Sequence, residues 1–75
     1  MNLRDMYVGQ TGIVAGFSQT GRSYRRKLLS MGLLPGTEFR ITRIAPMGDP
    51  VEIALRGFRL SLRRGEAEAV MVETR

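Results

Sequence analysis

The segment VEIALRGFRLSLR, residues 51–63, decides the fold of this 75-residue chain. Apolar side chains occupy alternate positions on both sides of Gly57, namely Val51, Ile53 and Leu55, then Phe58, Leu60 and Leu62. Successive side chains of a strand point to opposite faces of a sheet, so this alternation is typical of half-buried strands. The segment therefore predicts a β-hairpin whose short turn contains Gly57.

A further strand is predicted closer to the N-terminus, over residues 10–18. Glycines interrupt it at Gly12 and Gly16, and glycine inside a strand marks a bulge or a close approach of another group. Three of its side chains share one face: Ile13, Ala15 and Phe17.

The strand that precedes the hairpin begins at Glu38. Phe39 and Ile41 share one of its faces, whereas Ile44 falls on the other. Because a shift of one residue moves every later side chain to the opposite face, a bulge is predicted near residues 42–43.

After the hairpin, the sequence predicts a turn at residues 64–66 and a last short strand over residues 69–72. About five short strands with one short inserted α-helix predict an all-β fold, a small closed or nearly closed β-barrel. Closure of a barrel removes the exposed edges of its sheet. The length suits one domain, residues 1–75, and no linker is visible.

One helix is predicted between the first two strands. Tyr24, Leu28 and Met31 recur at helical spacing, with basic residues on the other side. Either Thr20 or Ser23 is expected to cap its start, because a hydroxyl there accepts a hydrogen bond from a free backbone N–H.

The end of this helix is predicted at Gly32. Glycine suits the left-handed position just past a helix, and Leu33 can then fold back on Leu28 in a Schellman-type cap. The following residues, 34–37, read Leu-Pro-Gly-Thr and predict a tight turn into the next strand.

Composition argues against several functional classes. The chain has no cysteine and no histidine, which removes thiolate ligands, the commonest metal ligand and the commonest general base. No glycine-rich phosphate loop and no long apolar span is present. We therefore predict a cytoplasmic binding module that is not an enzyme and has no catalytic, cofactor-binding or metal-ligating residues.

Arginines and leucines provide the candidate binding residues. The net charge is +5, and Lys27 is the only lysine, so the positive charge resides mainly on guanidinium groups, which favour planar contacts with carboxylates and phosphates. The apolar end of the helix beside these arginines resembles an interface with a basic rim. The predicted partner-binding residues are Tyr24, Arg25, Arg26, Leu29, Met31, Leu33, Leu34, Arg56, Arg59 and Arg63.

Other interpretations of the same residues stay open. The arginines can form a solvated face, and the leucines can all pack inward. Nucleic-acid binding would use the arginines on phosphates, although no aromatic side chains are interleaved with them as stacking platforms. An arginine can also enter another protein's nucleotide site and stabilise the charge of phosphoryl transfer.

The sequence resembles the FeoA family of ferrous-iron transport proteins. The likeness is carried by YRRKLLSMGLLPGT at residues 24–37 and APMGDP at residues 45–50, and it continues through RGFRLSLR at residues 56–63 and EAEA at residues 66–69. It covers nearly the whole chain.

The resemblance implies an SH3-like barrel with an inserted helix. It also implies a cytoplasmic accessory of the Feo system, whose membrane transporter, FeoB, carries a cytoplasmic G-protein domain. FeoB is thus the expected partner, with weak self-association as a further expectation, and contact with a membrane only through FeoB. No nucleic acid, cofactor, metal-ligand set or catalytic set follows from the family.

Overall fold

The computed structural model describes residues 1–19 and 22–75. After a short 3-10 turn, Leu3–Asp5, the elements are β1 Thr11–Phe17, α1 Arg22–Ser30, β2 Glu38–Ile44, β3 Val51–Leu55, β4 Phe58–Leu62, α2 Arg64–Ala69 and β5 Val70–Thr74. The five strands form one sheet in the order β4-β3-β2-β1-β5, with antiparallel neighbours. This architecture confirms the all-β prediction, and the sheet curves around a single apolar core.

The hairpin of β3 and β4 forms as predicted. Leu55 pairs with Phe58, which leaves a two-residue loop in which Arg56 has φ 38° and Gly57 has φ 86°. Two positive φ angles are those of a type I′ turn, whose twist matches that of the flanking strands. In β4, however, only Leu62 is fully buried, and the ring of Phe58 is 44% exposed, because β4 lies at the end of the sheet.

The predicted face of β1 needs a correction. Gly12 and Val14 are the buried positions, whereas Ile13 is half-buried and Ala15 is exposed. A shift of register between Val14 and Gly16 reverses the alternation, so Phe17 returns to pack against the core. The bulge expected at the second glycine is confirmed, but the inward face before it is the opposite one.

The bulge predicted in β2 is confirmed. The pairing of β2 with β3 shifts between Ile41 and Arg43. Beside it the hydroxyl of Thr42 donates one bifurcated hydrogen bond, shared between the carbonyl and the carboxylate of Glu52 at 3.1 and 3.0 Å.

The end of α1 is a Schellman cap, as predicted. The N–H of Leu33 donates to the carbonyl of Leu28 at 3.1 Å, and the N–H of Gly32 donates to that of Leu29 at 3.1 Å. Gly32 has φ +97°, and both Leu28 and Leu33 are fully buried. The cap therefore satisfies backbone groups at the helix end and anchors it in the core.

Two residues were expected as candidates for the cap at the start of α1. Ser23 lies inside the helix, so it is not the N-cap residue. Thr20, the other candidate, and Gly21 lie outside the described residues.

The turn predicted at residues 64–66 is wrong, since these residues begin the second helix, α2. A carboxylate oxygen of Glu66 accepts the N–H of Arg63 at 2.9 Å, which satisfies a free donor at the helix start. Ala67 and Ala69, which belong to this helix, are buried. The final strand consequently starts at Val70 and extends to Thr74, beyond the predicted end.

The expectation that barrel closure removes the sheet edges is also not met. Strands β4 and β5 are at opposite ends of the strand order and do not pair among the described residues. Helix α2 connects them instead, and the edge of β4 stays without a strand neighbour in that part of the chain.

Gly32→Ala should destabilise the protein by about 1–2 kcal/mol, because an L-residue is strained at this φ. An added Cβ would also lie 3.3 Å from Cζ of Phe58. The free energy of unfolding, measured in urea, checks the prediction. Ser23→Ala, on the exposed side of the same helix, is the control and should change stability by less than about 0.5 kcal/mol. Equal stability of the two variants would contradict a structural role for the left-handed position.

Candidate partner-binding surface

Helix α2 holds α1 in place along one side. The ammonium of Lys27 forms an ion pair with Glu66, whose side chain is only 5% exposed. One turn earlier, Tyr24 packs against α2 so closely that a Cβ at Gly65 would lie 2.5 Å from the Tyr24 hydroxyl. With Leu28 in the core, these contacts fix the rotation of α1 about its own axis. Tyr24 remains 37% exposed, at the edge of this contact.

The opposite side of α1 forms an open groove with the end of β1 and the turn after the helix. Its lining includes Phe17, Arg22, Arg25, Leu29 and Pro35, and its volume is about 730 Å³. We call these five residues the helix groove. The groove thus combines two guanidinium groups with apolar side chains, which is a composition suited to an acidic group attached to an apolar side chain.

The guanidinium groups of α1 are available for contacts outside the chain. None of the ion pairs within residues 1–19 and 22–75 involves Arg22, Arg25 or Arg26. The helix also has no acidic residue in its first turn, and all three arginines are exposed. No carboxylate of the described residues therefore competes with an approaching carboxylate or phosphate for these guanidinium groups.

A second basic surface lies on the hairpin and on the adjoining strand β2. Arg40 pairs with Ala54, and Ala54 pairs with Arg59, so two arginines flank a small side chain in one row across three strands. Arg56 and Phe58 complete the surface at the turn, in a groove lined by these residues. We call these five residues, Arg40, Ala54, Arg56, Phe58 and Arg59, the hairpin face. Phe58 links it to the end of α1, since a Cβ on Gly32 would touch its ring.

Not every residue selected from the sequence lies at the surface. Leu33 is fully buried beneath the Schellman cap, so its place among the predicted partner-binding residues is wrong. Met31 is half-buried and packs against the core, whereas Leu34 is 52% exposed. Leu29 is half-buried in the helix groove.

The remaining selected residues are exposed arginines: Arg25, Arg26, Arg56, Arg59 and Arg63. Arg25 lies in the helix groove, and Arg56 and Arg59 lie on the hairpin face. Arg26 lies on α1 outside the groove, and Arg63 stands at the start of α2. Sequence reasoning missed Arg22, Arg40 and Phe58. The only sequence indication for Phe58 was its position next to the turn, at the end of an edge strand, where burial is least complete.

The charge of Glu66 is stabilised by its surroundings. Burial by itself raises the pKa of this carboxyl group, but the hydrogen bond from Lys27, the Arg63 N–H and the two nearby positive charges outweigh it. The pKa of Glu66 consequently lies below its ordinary value of 4.5. This carboxylate connects α1 to α2 and is not available as an acid or base near neutral pH.

Two features absent from the described residues bear on function. No group of three or more aspartate, glutamate, histidine or cysteine side chains there is arranged to hold a metal ion. Among the same residues, no helix has the length and apolar character needed to cross a membrane.

Comparisons with known proteins give one consistent result. A family profile described as FeoA domain matches residues 1–74. The chain is 29% identical over 73 residues to the Fe(2+) transport protein A/Fe(2+) transporter FeoB fusion protein of Porphyromonas gingivalis. The match covers 97% of this chain but only 8% of that protein, so the chain spans a small part of its relative.

Solved structures agree in fold. The FeoA-like protein of Clostridium acetobutylicum has a TM-score of 0.89 and 39% identity, over 99% of this chain and 85% of that one. Stenotrophomonas maltophilia FeoA, solved in complex with zinc and described as a procaryotic SH3 domain protein, has a TM-score of 0.81 and 25% identity, over 97% and 89%. The expected SH3-like barrel is thereby confirmed.

Glu66→Gln should lower the free energy of unfolding at pH 7 by about 1–2 kcal/mol, because the substitution removes a charge-assisted contact to Lys27. The folded pKa is lowered, so the stabilisation is complete above pH 4.5 and is lost as the pH falls through the folded pKa. The difference between the wild-type and variant proteins should therefore shrink in urea titrations as the pH is lowered from 5 through the folded pKa of Glu66. Glu68→Gln, at an exposed ion pair, is the control, and a pH-independent difference for Glu66→Gln would contradict the assignment.

Proposed function

The chain belongs to the FeoA family, and from this membership we propose that it is an accessory protein of ferrous-iron transport that binds FeoB and modulates its activity. The observation that carries the proposal is the Porphyromonas gingivalis relative, in which the matching segment and the transporter are one fused polypeptide. Fusion keeps two modules at high effective concentration and so favours pairs that work in contact. The proposed role is binding, in the cytoplasm, where FeoB exposes its G-protein domain.

The helix groove is the surface that we propose for this contact. Its guanidinium groups, from Arg22 and Arg25, are free of internal ion pairs in the described chain, and Leu29 and Phe17 supply apolar surface in the same groove. Exposed Leu34 directly precedes Pro35 in the turn after the helix. A charged rim around a small apolar centre is the usual arrangement of residues that dominate binding energy.

A second candidate function is stimulation of GTP hydrolysis by an arginine supplied from this chain. The observation that favours it is the exposure of Arg25, Arg26 and Arg56, which take part in none of the ion pairs of the described residues. An arginine placed beside the transferred phosphoryl group stabilises its developing charge. Binding and stimulation are separable, because such an arginine acts mainly in the transition state.

The binding proposal is tested by titrating the 15N-labelled chain with the purified cytoplasmic domain of FeoB, with and without a GTP analogue. We expect amide shifts concentrated in residues 22–36. Arg25→Glu should weaken the affinity at least tenfold, whereas Arg43→Glu, an equal change of charge on β2, should weaken it less than threefold. Equal losses from both variants would show that net charge alone drives the contact.

The proposed stimulation of GTP hydrolysis by an arginine is tested by a separate measurement. Arg25→Ala, Arg26→Ala and Arg56→Ala are compared for GTP turnover by FeoB at saturating concentration of the chain. A catalytic arginine is shown by loss of stimulation in one variant that still binds. Wild-type chain that binds without changing turnover would exclude this role and leave the binding function intact.

A further inference from the structure

The two edges of the sheet differ in whether another segment of the chain covers them. At the β5 edge, the N–H of Val72 donates to the carbonyl of Met1 at 3.0 Å, and Asn2 forms a bridge with Met71. The N-terminal residues therefore cover that edge. At the other end of the sheet, β4 has β3 as its one strand neighbour among the described residues.

The register of the hairpin determines which backbone groups of β4 face outward. The two-residue turn makes Leu55 and Phe58 a hydrogen-bonded pair, and such pairs alternate along an antiparallel ladder. Phe58, Leu60 and Leu62 consequently bond to β3. The N–H and C=O groups of Arg59 and Ser61 point away from β3, toward the uncovered edge.

The side chains along this edge have a simple pattern. On the inner side, Phe58 is 44% exposed and Leu60 is half-buried, so both keep apolar surface that β3 does not cover. On the outer side, the guanidinium of Arg59 is 3.8 Å from Glu52, a loose contact, and its side chain is 72% exposed. Arg56 and Arg63 stand at the two ends of the strand, and both are exposed.

These features specify the chemistry of a strand that could be added. Side chains directly opposite each other in an antiparallel pair lie on the same face. A carboxylate opposite Arg59 would meet a cation, and apolar side chains on the alternate positions would cover Phe58 and Leu60. A second copy of this chain is disfavoured, because pairing β4 with itself would bring the arginines of two edges together.

We propose that the free edge of β4 binds an extended segment of another protein as an added strand, and that this segment alternates acidic and apolar residues. Such strand addition takes affinity from main-chain hydrogen bonds and specificity from alternate side chains. The site goes beyond the proposed function, because it is separate from the helix groove and does not depend on which protein supplies the segment.

The test uses a synthetic peptide, Ac-GEVEVEVG-NH2, titrated into the 15N-labelled full chain. We expect shifts concentrated in residues 56–63, and slower amide exchange at Arg59 and Ser61 when the peptide is bound. Two control peptides replace each glutamate with lysine, or carry N-methyl groups on alternate amides. Both should bind at least tenfold more weakly, the first through charge and the second through lost main-chain hydrogen bonds.

Matched variants separate the edge from general electrostatics. Arg59→Glu should weaken peptide binding at least tenfold, whereas Arg26→Glu, an equal change of charge on α1, should change it less than twofold. The amide spectra of both variants establish that they fold. A third variant, Ser61→Pro, removes an outward donor without altering charge and should weaken binding similarly.

Three results would overturn the proposal. These are unchanged spectra at millimolar peptide, equal binding of the N-methylated peptide, or equal effects of Arg59→Glu and Arg26→Glu. Because the probe is a peptide and not FeoB, failure here leaves the transporter-binding test unaffected. Conversely, a chain that binds the peptide but not FeoB would retain the edge site and lose only the proposed function.

Discussion

The structure depends on the point where the chain leaves α1. The N–H of Leu33 turns back to the carbonyl of Leu28, and this single reversal places both leucines in the core. It is possible because Gly32 adopts a left-handed conformation that costs an L-residue about 1–2 kcal/mol. The missing side chain also makes room for the ring of Phe58, so helix and hairpin meet there.

Charge is distributed according to the same geometry. Several acidic residues are used within the chain: Glu66 contacts Lys27, Glu68 contacts Arg4, and Glu38 contacts Arg75. The acidic loop residue Asp49 accepts the N–H of Arg64, which ties the loop before β3 to the start of α2. Because these carboxylates already have partners within the chain, the arginines of α1 and the hairpin tip face solvent. A basic chain thereby presents two basic surfaces with apolar centres.

The helix groove and the free edge of β4 differ in the groups that they present to a partner. The helix groove presents side chains from a rigid helix whose rotation is fixed by α2, so it suits a preformed surface on another protein. The edge of β4 presents backbone donors and acceptors, so it suits an extended segment that gains order on binding. One small barrel can in this way contact a folded domain and a flexible segment at separate places.

The sequence by itself determined the alternating strands of the hairpin, the bulge in β2 and the helix stop at Gly32. Each depends on side-chain periodicity or on the backbone freedom of one residue, which are local properties. Tertiary structure decided the inward face of β1, because the bulge after Val14 reversed the alternation there. It also decided that residues 64–69 form a helix, since burial of Ala67 and the contact between Glu66 and Lys27 involve distant parts of the chain. Side-chain exposure also depended on tertiary structure. Leu33 and Leu34 are adjacent leucines, yet packing against the core buries Leu33 and leaves Leu34 in solvent.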